Sequence, residues 1–181
     1  MRKIVANLFI SLDGVVEAPE TWHFPYLDDE MGQAVAAQMA AADALLLGRH
    51  TYDVFAAHWP LQDSAKDPMA ATLNAAPKYV VSTTLTDPAW QNTTVINADP
   101  RKELLRLKEG PGKDIGMSGS PTLVIWLLRE GLLDQLNLMV HPIVVGGGQR
   151  LFQDGIGQIP LKLTRSETFS TGVLNLTYTR A

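Results

Sequence analysis

Ala44-Leu45-Leu46-Leu47-Gly48 is a short apolar run that stops at a glycine, and Arg49-His50-Thr51-Tyr52 after it reads as the start of a helix. An apolar run this short, with no polar face, reads as a parallel strand buried in a helix-covered sheet. Its carboxyl end leads into a helix N-terminus, where backbone N–H groups lack partners and the helix dipole favours negative charge. Arg49 adds a fork of permanently charged donors suited to phosphate oxygens. Gly48 lets a ligand approach the backbone closely. An ordinary strand-to-helix turn with a surface arginine would read the same way.

A second junction repeats the pattern. Ile115-Gly116-Met117-Ser118-Gly119-Ser120-Pro121-Thr122 precedes the very apolar stretch 123–128. Ser120 suits an N-cap and Pro121 the first helical position. A capped, buried helix accounts for those two residues but less well for Gly116, Ser118 and Gly119, which suit a loop around an anion. Together the two junctions suggest one elongated phosphate ligand such as a dinucleotide, although neither is a Gly-x-Gly-x-x-Gly fingerprint or a Walker loop. Tyr79-Val80-Val81-Ser82-Thr83-Thr84 ends a third strand in hydroxyls, which suit a ribose or its phosphate, or a plain turn.

Along the chain, strands are expected at 3–10, 44–48, 78–82, 93–97 and 113–117. Helices are expected at 28–42, 49–56, 100–108 and 121–130, with a short one inside the irregular stretch 57–76. Residues 134–145 read as one long strand broken by Gly146-Gly147-Gly148, and strands at 161–169 and 173–180 follow. The alternation implies a mostly parallel sheet flanked by helices, and the last third adds antiparallel strands at one edge. The 181 residues are read as a single domain, 1–181.

Composition narrows the function. The net charge of −4 is spread along the chain, which argues against nucleic acid or a membrane surface as partner. There is no cysteine, which removes disulfides, thiolate metal sites and cysteine nucleophiles. His23, His50, His58 and His141 lack ligand spacing, so no metal is expected. With no targeting segment or membrane-length apolar run, a cytoplasmic protein is expected.

The order of these motifs resembles the dihydrofolate-reductase-like superfamily. It is most similar to the branch containing the reductase domain of the bifunctional riboflavin-biosynthesis deaminase-reductase and its stand-alone relatives. The resemblance is carried by Ser11-Leu12-Asp13-Gly14, Leu47-Gly48-Arg49-His50-Thr51, Ser82, Gly116-Met117-Ser118-Gly119-Ser120 and Val144-Val145-Gly146-Gly147-Gly148 followed by Leu151-Phe152. It implies the three-layer α/β fold of that superfamily and NADPH as cofactor. Gly48, Arg49, Thr51, Ser118, Gly119 and Ser120 would bracket the pyrophosphate. Arg49, Ser82 and Thr83 would meet the 2′-phosphate. The nicotinamide would lie between Asp13, Gly14, Val15, Val16 and the 116–120 loop.

The activity implied is hydride transfer to a small planar heterocycle, such as a pyrimidine bearing a ribosylamino group, of the 5-amino-6-(5-phosphoribosylamino)uracil reductase type. The zinc-deaminase half is absent, since no His-x-Glu stands with paired cysteines. Dihydrofolate reduction is not expected. Dihydrofolate reductases place a carboxylate shortly after a Trp-x-x-Pro segment, whereas Trp22-His23-Phe24-Pro25 is followed by Leu27 there and Asp28 one residue on, a rotation of about 100° on a helix. Asp28 is then either a displaced catalytic group or, with Asp29 and Glu30, a helix-dipole partner. Asp13 is either a proton relay beside the nicotinamide or a turn residue. Trp22, Phe24, Tyr52 and Trp59 either wall a flat pocket or belong to the core. The glycines around Gly147 either present backbone donors to a substrate phosphate or form a hairpin device. A non-catalytic NADP(H)-binding sensor is the alternative. The apolar stretch 132–145, read as an edge strand, points to a two-fold homodimer with Leu136, Leu138 or Val140 at the contact, unless one chain covers both faces.

Overall fold

The chain runs β1 (Ile4–Ser11), α1 (Asp29–Ala41), β2 (Ala42–Gly48), α2 (Arg49–His58), α3 (Pro68–Ala75), β3 (Lys78–Val81), β4 (Thr93–Ile96), α4 (Pro100–Glu109), β5 (Asp114–Met117), α5 (Pro121–Glu130), β6 (Gln135–His141), β7 (Leu161–Thr168) and β8 (Leu174–Arg180). It is described by a computed structural model covering residues 1–181. The eight strands form one sheet in the order β4-β3-β2-β5-β1-β6-β8-β7. β1 to β6 pair in parallel, while β8 runs antiparallel to β6, and β7 to β8. This is the α/β architecture expected: a mostly parallel sheet between helices, with antiparallel strands contributed by the last third.

Strand alternation divides the core between two faces. On one, Ile4, Ala6, Leu8, Leu46, Ile115 and Leu136 pack against Leu123, Val124 and Leu127 of α5 and Leu104 of α4. On the other, Leu47 and Val80 pack with Tyr52, Leu73 and Trp90 under α2 and α3. Further along that face, Met31 of α1 meets Met139, Phe169 and Val173. Each fully buried side chain of this size contributes about 1.5–3 kcal/mol. Three helices start on aspartate caps: Asp28 on α1, Asp67 on α3 and Asp99 on α4.

The long strand expected at 134–145 differs in two ways. It ends at His141, because Pro142 has no N–H to continue a ladder. It is also interior: β6 lies between β1 and β8, and the edges are β4 and β7. Leu136 and Leu138 are 1% and 7% exposed. They and the half-buried Val140 belong to the core that contains α5. Their apolar character is explained within one chain, so they are not available for a dimer contact.

Candidate active site

β2 and β5 are parallel neighbours, but their chains leave in opposite directions. β2 continues through α2 toward β3, and β5 through α5 toward β6, with the two helices on opposite faces of the sheet. In open α/β sheets, the crevice outside the carboxyl ends of such strands is where ligands bind. The two junctions singled out in the sequence meet at this point. The Gly48 N–H donates to Ser120 Oγ at 2.6 Å, the Ser120 N–H donates to Thr51 Oγ1 at 2.8 Å, and the two hydroxyls are 2.8 Å apart. The approach is close enough to require small residues. A Cβ on Gly48 would lie 2.5 Å from Ser120 Oγ, and one on Gly119, where φ is +133°, would lie 3.3 Å from Thr51.

Ser120 occupies the N-cap position of α5, but its backbone is left-handed (φ 60°) and its hydroxyl is turned into this clasp. α5 therefore has no side-chain cap, and neither does α2, which follows Gly48. The expectation of Ser120 as an ordinary cap is corrected by this geometry. Two uncapped helix N-termini thus lie side by side at the switch point, in a molecule whose other three helices carry carboxylate caps.

One strand further out, a cleft of about 360 Å³ is lined by Arg49, Ser82, Thr83, Thr84, Asn97 and Pro100, among others. Arg49 Nε donates to both oxygens of Asp53 at 2.9 Å and its Nη1 donates to Thr84 Oγ1 at 3.2 Å. The Ser82 hydroxyl accepts the N–H groups of Thr84 and Leu85, so it is engaged in the turn. Thr84, the third of the hydroxyls at this strand end, lines the cleft with Ser82 and Thr83, and Asn97 is an addition to the expected set. Asn97 could have been found from pairing alone: Val81 and Ile96 are in register, so the residues after them emerge side by side.

At the end of β1, Asp13 organises two loops. Its carboxylate accepts from the Ser11 hydroxyl at 2.6 Å and from the N–H groups of Val145 and Gly146 at 3.0 and 2.9 Å, with Arg150 at 3.7 Å. The Ser11 hydroxyl and then the two N–H groups lower its pKa to about 2. Asp13 is an ionised acceptor with no proton to relay near neutrality. Gly14 turns the chain at φ +85°, Val15 bridges to Arg150, and the Val16 N–H donates to the Gln149 carbonyl at 2.9 Å. The glycine loop is thereby fixed on the loop after β1, with Gly147 exposed and nothing within 4 Å of where its Cβ would be.

Asp28 accepts from the Met31 N–H at 2.8 Å and from the Ser170 hydroxyl at 3.3 Å. It acts as the cap of α1, tied to the β7–β8 hairpin. The four aromatics do not share a pocket. Tyr52 is buried beside Trp90, whose backbone N–H it accepts at 3.1 Å, and Trp59 packs against the same cluster. Tyr52 is a core residue on the side of α2 that faces the sheet, and the half-buried Trp59 follows the end of that helix. Trp22 is buried near the loop after β1, with its Nε1 donating to the Glu17 carbonyl at 3.1 Å. Phe24 is 59% exposed.

Sequence reasoning missed the pair His23 and His141, whose rings lie 6.2 Å apart among Phe9, Trp22 and Tyr26. His141 Nδ1 is 2.8 Å from the Met139 carbonyl, while His141 Nε2 and His23 Nδ1 are buried without partners. Burial lowers both pKa values. The pairing of Ser11 with His141 brings the end of β6 beside the loop that holds His23, which no local pattern announces.

Residues 2–175 match the family described as the RibD C-terminal domain. The uncharacterized Bacillus subtilis protein YyaP is 32% identical over 183 residues, covering 98% of this chain and 94% of that protein. Among solved structures, a Shewanella sp. PV-4 protein assigned to riboflavin biosynthesis gives a TM-score of 0.75 at 22% identity, with 100% and 99% of the two chains covered. The Thermotoga maritima diaminohydroxyphosphoribosylaminopyrimidine deaminase/5-amino-6-(5-phosphoribosylamino)uracil reductase gives 0.67 at 13% identity, covering 99% of this chain and 57% of its own. At such identities the structural likeness speaks for the fold. The match along nearly the whole sequence speaks for descent: this chain belongs to the RibD C-terminal domain family.

Proposed function

We propose that the chain, as one domain over residues 1–181, is an NADPH-dependent oxidoreductase acting on a small planar heterocycle, of the 5-amino-6-(5-phosphoribosylamino)uracil reductase type. The observation that carries this reading is the pair of uncapped helix N-termini, α2 and α5, clasped together at the switch point. They make a positive pole suited to a pyrophosphate. The residues present fit the cofactor. The N–H groups of Gly48 and Ser120 are taken up by the clasp that shapes the site with Thr51, and the uncapped first turns of α2 and α5 together with the backbone of Ser118 and Gly119 supply the donors left for a ligand. Arg49, Thr83 and Thr84 border the adjoining cleft and suit a 2′-phosphate. From β3 to β1 is three strand spacings, about 14 Å, which suits an extended dinucleotide.

When bound, NADPH supplies a hydride. The chain binds and orients, with the backbone at Gly14, Val15 and Val16 bordering the reacting end and Trp22, Phe24 and Gly147 on the substrate side. Asp13 holds the glycine loop rather than a transferable proton, and Asp28 caps α1, so the proton is drawn from water. The riboflavin-pathway setting of the structural relatives supports the substrate class. The reading includes a cytoplasmic homodimer. The test is titration with NADPH and NADH by tryptophan fluorescence, followed by NADPH oxidation with ribosylaminopyrimidine, pterin and imine substrates. Tight NADPH binding with turnover of the pyrimidine is expected. Failure to bind either nucleotide overturns the reading, and binding without turnover on any substrate favours the sensor.

A further inference from the structure

The two ends of the crevice carry opposite charge. Arg49 stands at the end nearest β3. At the end formed by β1 and β6, the segment from Ser11 to Glu30 holds six carboxylates, Asp13, Glu17, Glu20, Asp28, Asp29 and Glu30, and no lysine or arginine. In the facing segment, from His141 to Gln153, the one formal charge is Arg150. Arg150 is already engaged: its Nε donates to the Asp13 carbonyl at 2.9 Å, and its Nη2 lies 3.7 Å from the Asp13 carboxylate. His23 and His141 add no cation at neutral pH, since burial lowers both pKa values from the ordinary 6.5.

The glycine loop is filled by the chain's own acids. The N–H groups of Val145 and Gly146 go to Asp13, and that of Gln149 goes to Glu17 Oε2 at 2.7 Å. A Cβ on Gly148 would lie 3.1 Å from the same Glu17 oxygen. The close approach that a glycine permits there is used by a carboxylate of the protein. Beside these charges the surface is apolar. Leu12 and Val144 are each 66% exposed, and the Leu12 N–H donates to the Ile143 carbonyl at 2.8 Å, which holds the two segments together. The Phe24 ring lies 4.3 Å from that of His23, which stacks on Phe9 of β1. Large apolar side chains gathered at the mouth of a crevice mark a binding surface.

We propose that the substrate taken at this end is uncharged: a heterocycle bearing a bare sugar or a similar neutral arm, and not a phosphate ester. The inference rests on the reductase reading above. It keeps the ring and the hydride transfer of the 5-amino-6-(5-phosphoribosylamino)uracil type and removes the phosphate from the arm. A phosphate dianion among Asp13, Glu17 and Glu20 would meet like charge with no free guanidinium or ammonium to offset it, and like-charge juxtaposition is a strong means of rejecting a ligand. Asp13 and Asp28 also serve as structural acceptors, and a carboxylate in that role keeps its charge. Carboxylates accept hydrogen bonds from sugar hydroxyls, while Leu12, Phe24 and Val144 offer the ring an apolar face.

The test is calorimetry on the protein loaded with NADP⁺, titrated with a ribosylaminopyrimidine and with its 5′-phosphate, so that binding is read without turnover. The unphosphorylated compound is expected to bind at least about tenfold more tightly, and the gap should narrow as salt rises. Glu17→Gln removes an acid and Val144→Lys adds a cation at an exposed position; each should narrow the gap by about threefold or more. Leu105→Lys, the same gain of charge on an exposed site of α4, should leave it unchanged. A phosphate ester that binds as tightly as the free compound overturns the inference, as does a gap that neither salt nor the two substitutions narrow. Failure of both pyrimidines to bind also overturns it and leaves the cofactor reading intact. If NADP⁺ itself does not bind, the cofactor reading falls and this one with it.

Discussion

The clasp between Gly48, Thr51 and Ser120 makes a quantitative claim that unfolding experiments can check. Gly48 has φ −85° and ψ 168°, a conformation alanine adopts freely, so Gly48→Ala acts only through its new Cβ. That atom would sit 2.5 Å from Ser120 Oγ and 2.7 Å from Ser120 Cβ. Ser120 has little freedom to yield, because its hydroxyl accepts from Gly48 and bonds Thr51. Overpacking costs about 1–3 kcal/mol, and losing the buried bond costs about 1–3 kcal/mol. Because a shift of Ser120 relieves the clash as it breaks the bond, the two overlap, and Gly48→Ala should lose about 2–4 kcal/mol. Ser120→Gly removes both clashing atoms and relieves a left-handed residue, a strain of about 1–3 kcal/mol. That relief offsets most of its lost bonding, so a net loss of no more than about 2 kcal/mol is expected. In the double variant the alanine methyl occupies the vacated space. It should therefore be more stable than additivity predicts by about 1–3 kcal/mol. Urea unfolding of the wild type, both single variants and the double variant measures this coupling. The same proteins titrated with NADPH should show affinity falling about tenfold or more in Gly48→Ala, a loss of about 1.4 kcal/mol, and recovering in the double variant. A Gly48→Ala protein within about 0.5 kcal/mol of wild type, the ordinary range of surface substitutions, or strict additivity, would refute the argument.

Four other outcomes are expected. Arg49→Ala should weaken NADPH by about 1.5–3 kcal/mol, the value of a charge-assisted bond, and NADH far less; equal weakening in calorimetry would mean that Arg49 serves only the pyrophosphate or the fold. Asp13→Asn should speed proteolysis in the 144–150 loop. Because the folded pKa of Asp13 is lowered to about 2, its anchoring is fully present above the ordinary 3.8 and lost only as pH falls through about 2, so a cleavage rate that varies between neutral and mildly acidic pH would contradict it. Buried His23 and His141 have lowered pKa values, so the unfolded chain binds their protons first and stability should decline as pH drops below 6.5; urea midpoints that stay flat there in the wild type, or an undiminished slope in His141→Gln, would count against this. Dihydrofolate should not be turned over, and robust turnover abolished by Asp28→Asn would show that Asp28 reaches the substrate after all.

Most of the elements could be read locally because their signals are local. Leu45 to Leu47 stop at Gly48, Pro100 and Pro121 begin helices behind Asp99 and Ser120, and Gly131 ends α5 with φ +68°. What could not be read depends on strand order. β5 enters the sheet between β1 and β2 although three helices and two strands separate it from β2 in sequence. Only that insertion places Thr51 beside Ser120 and converts a plausible N-cap into a clasp. The same cause hid the burial of β6, whose apolar residues look like an exposed edge until β1 and β8 are placed on its two sides. Tyr52 was ambiguous because an aromatic on the inner side of a helix has one periodicity whether it faces core or cofactor, and Trp59 because it falls in the irregular stretch just past the end of α2. His23 and His141 carried no signal, since their proximity is a product of the pairing between β1 and β6.

The distribution of carboxylates explains why the proposed anion site carried a sequence signal and the acids considered for catalysis did not. Asp28, Asp67 and Asp99 each precede a helix and accept one or two of its orphan N–H groups. Asp13 does the same work for the N–H groups of Val145 and Gly146. An acid next to a glycine or a helix start is therefore, in this chain, a structural acceptor, and both acids first considered for catalysis fall in that class. The helices α2 and α5 break the habit. They begin after Gly48 and after Ser118-Gly119-Ser120, with Arg49 in place of an acid. A protein that satisfies three helix starts with carboxylates and leaves two adjacent ones open, with a guanidinium beside them, forgoes about 1 kcal/mol of capping at each. That cost falls at the one crevice where the sheet's connectivity reverses, which is where a negatively charged ligand would return it.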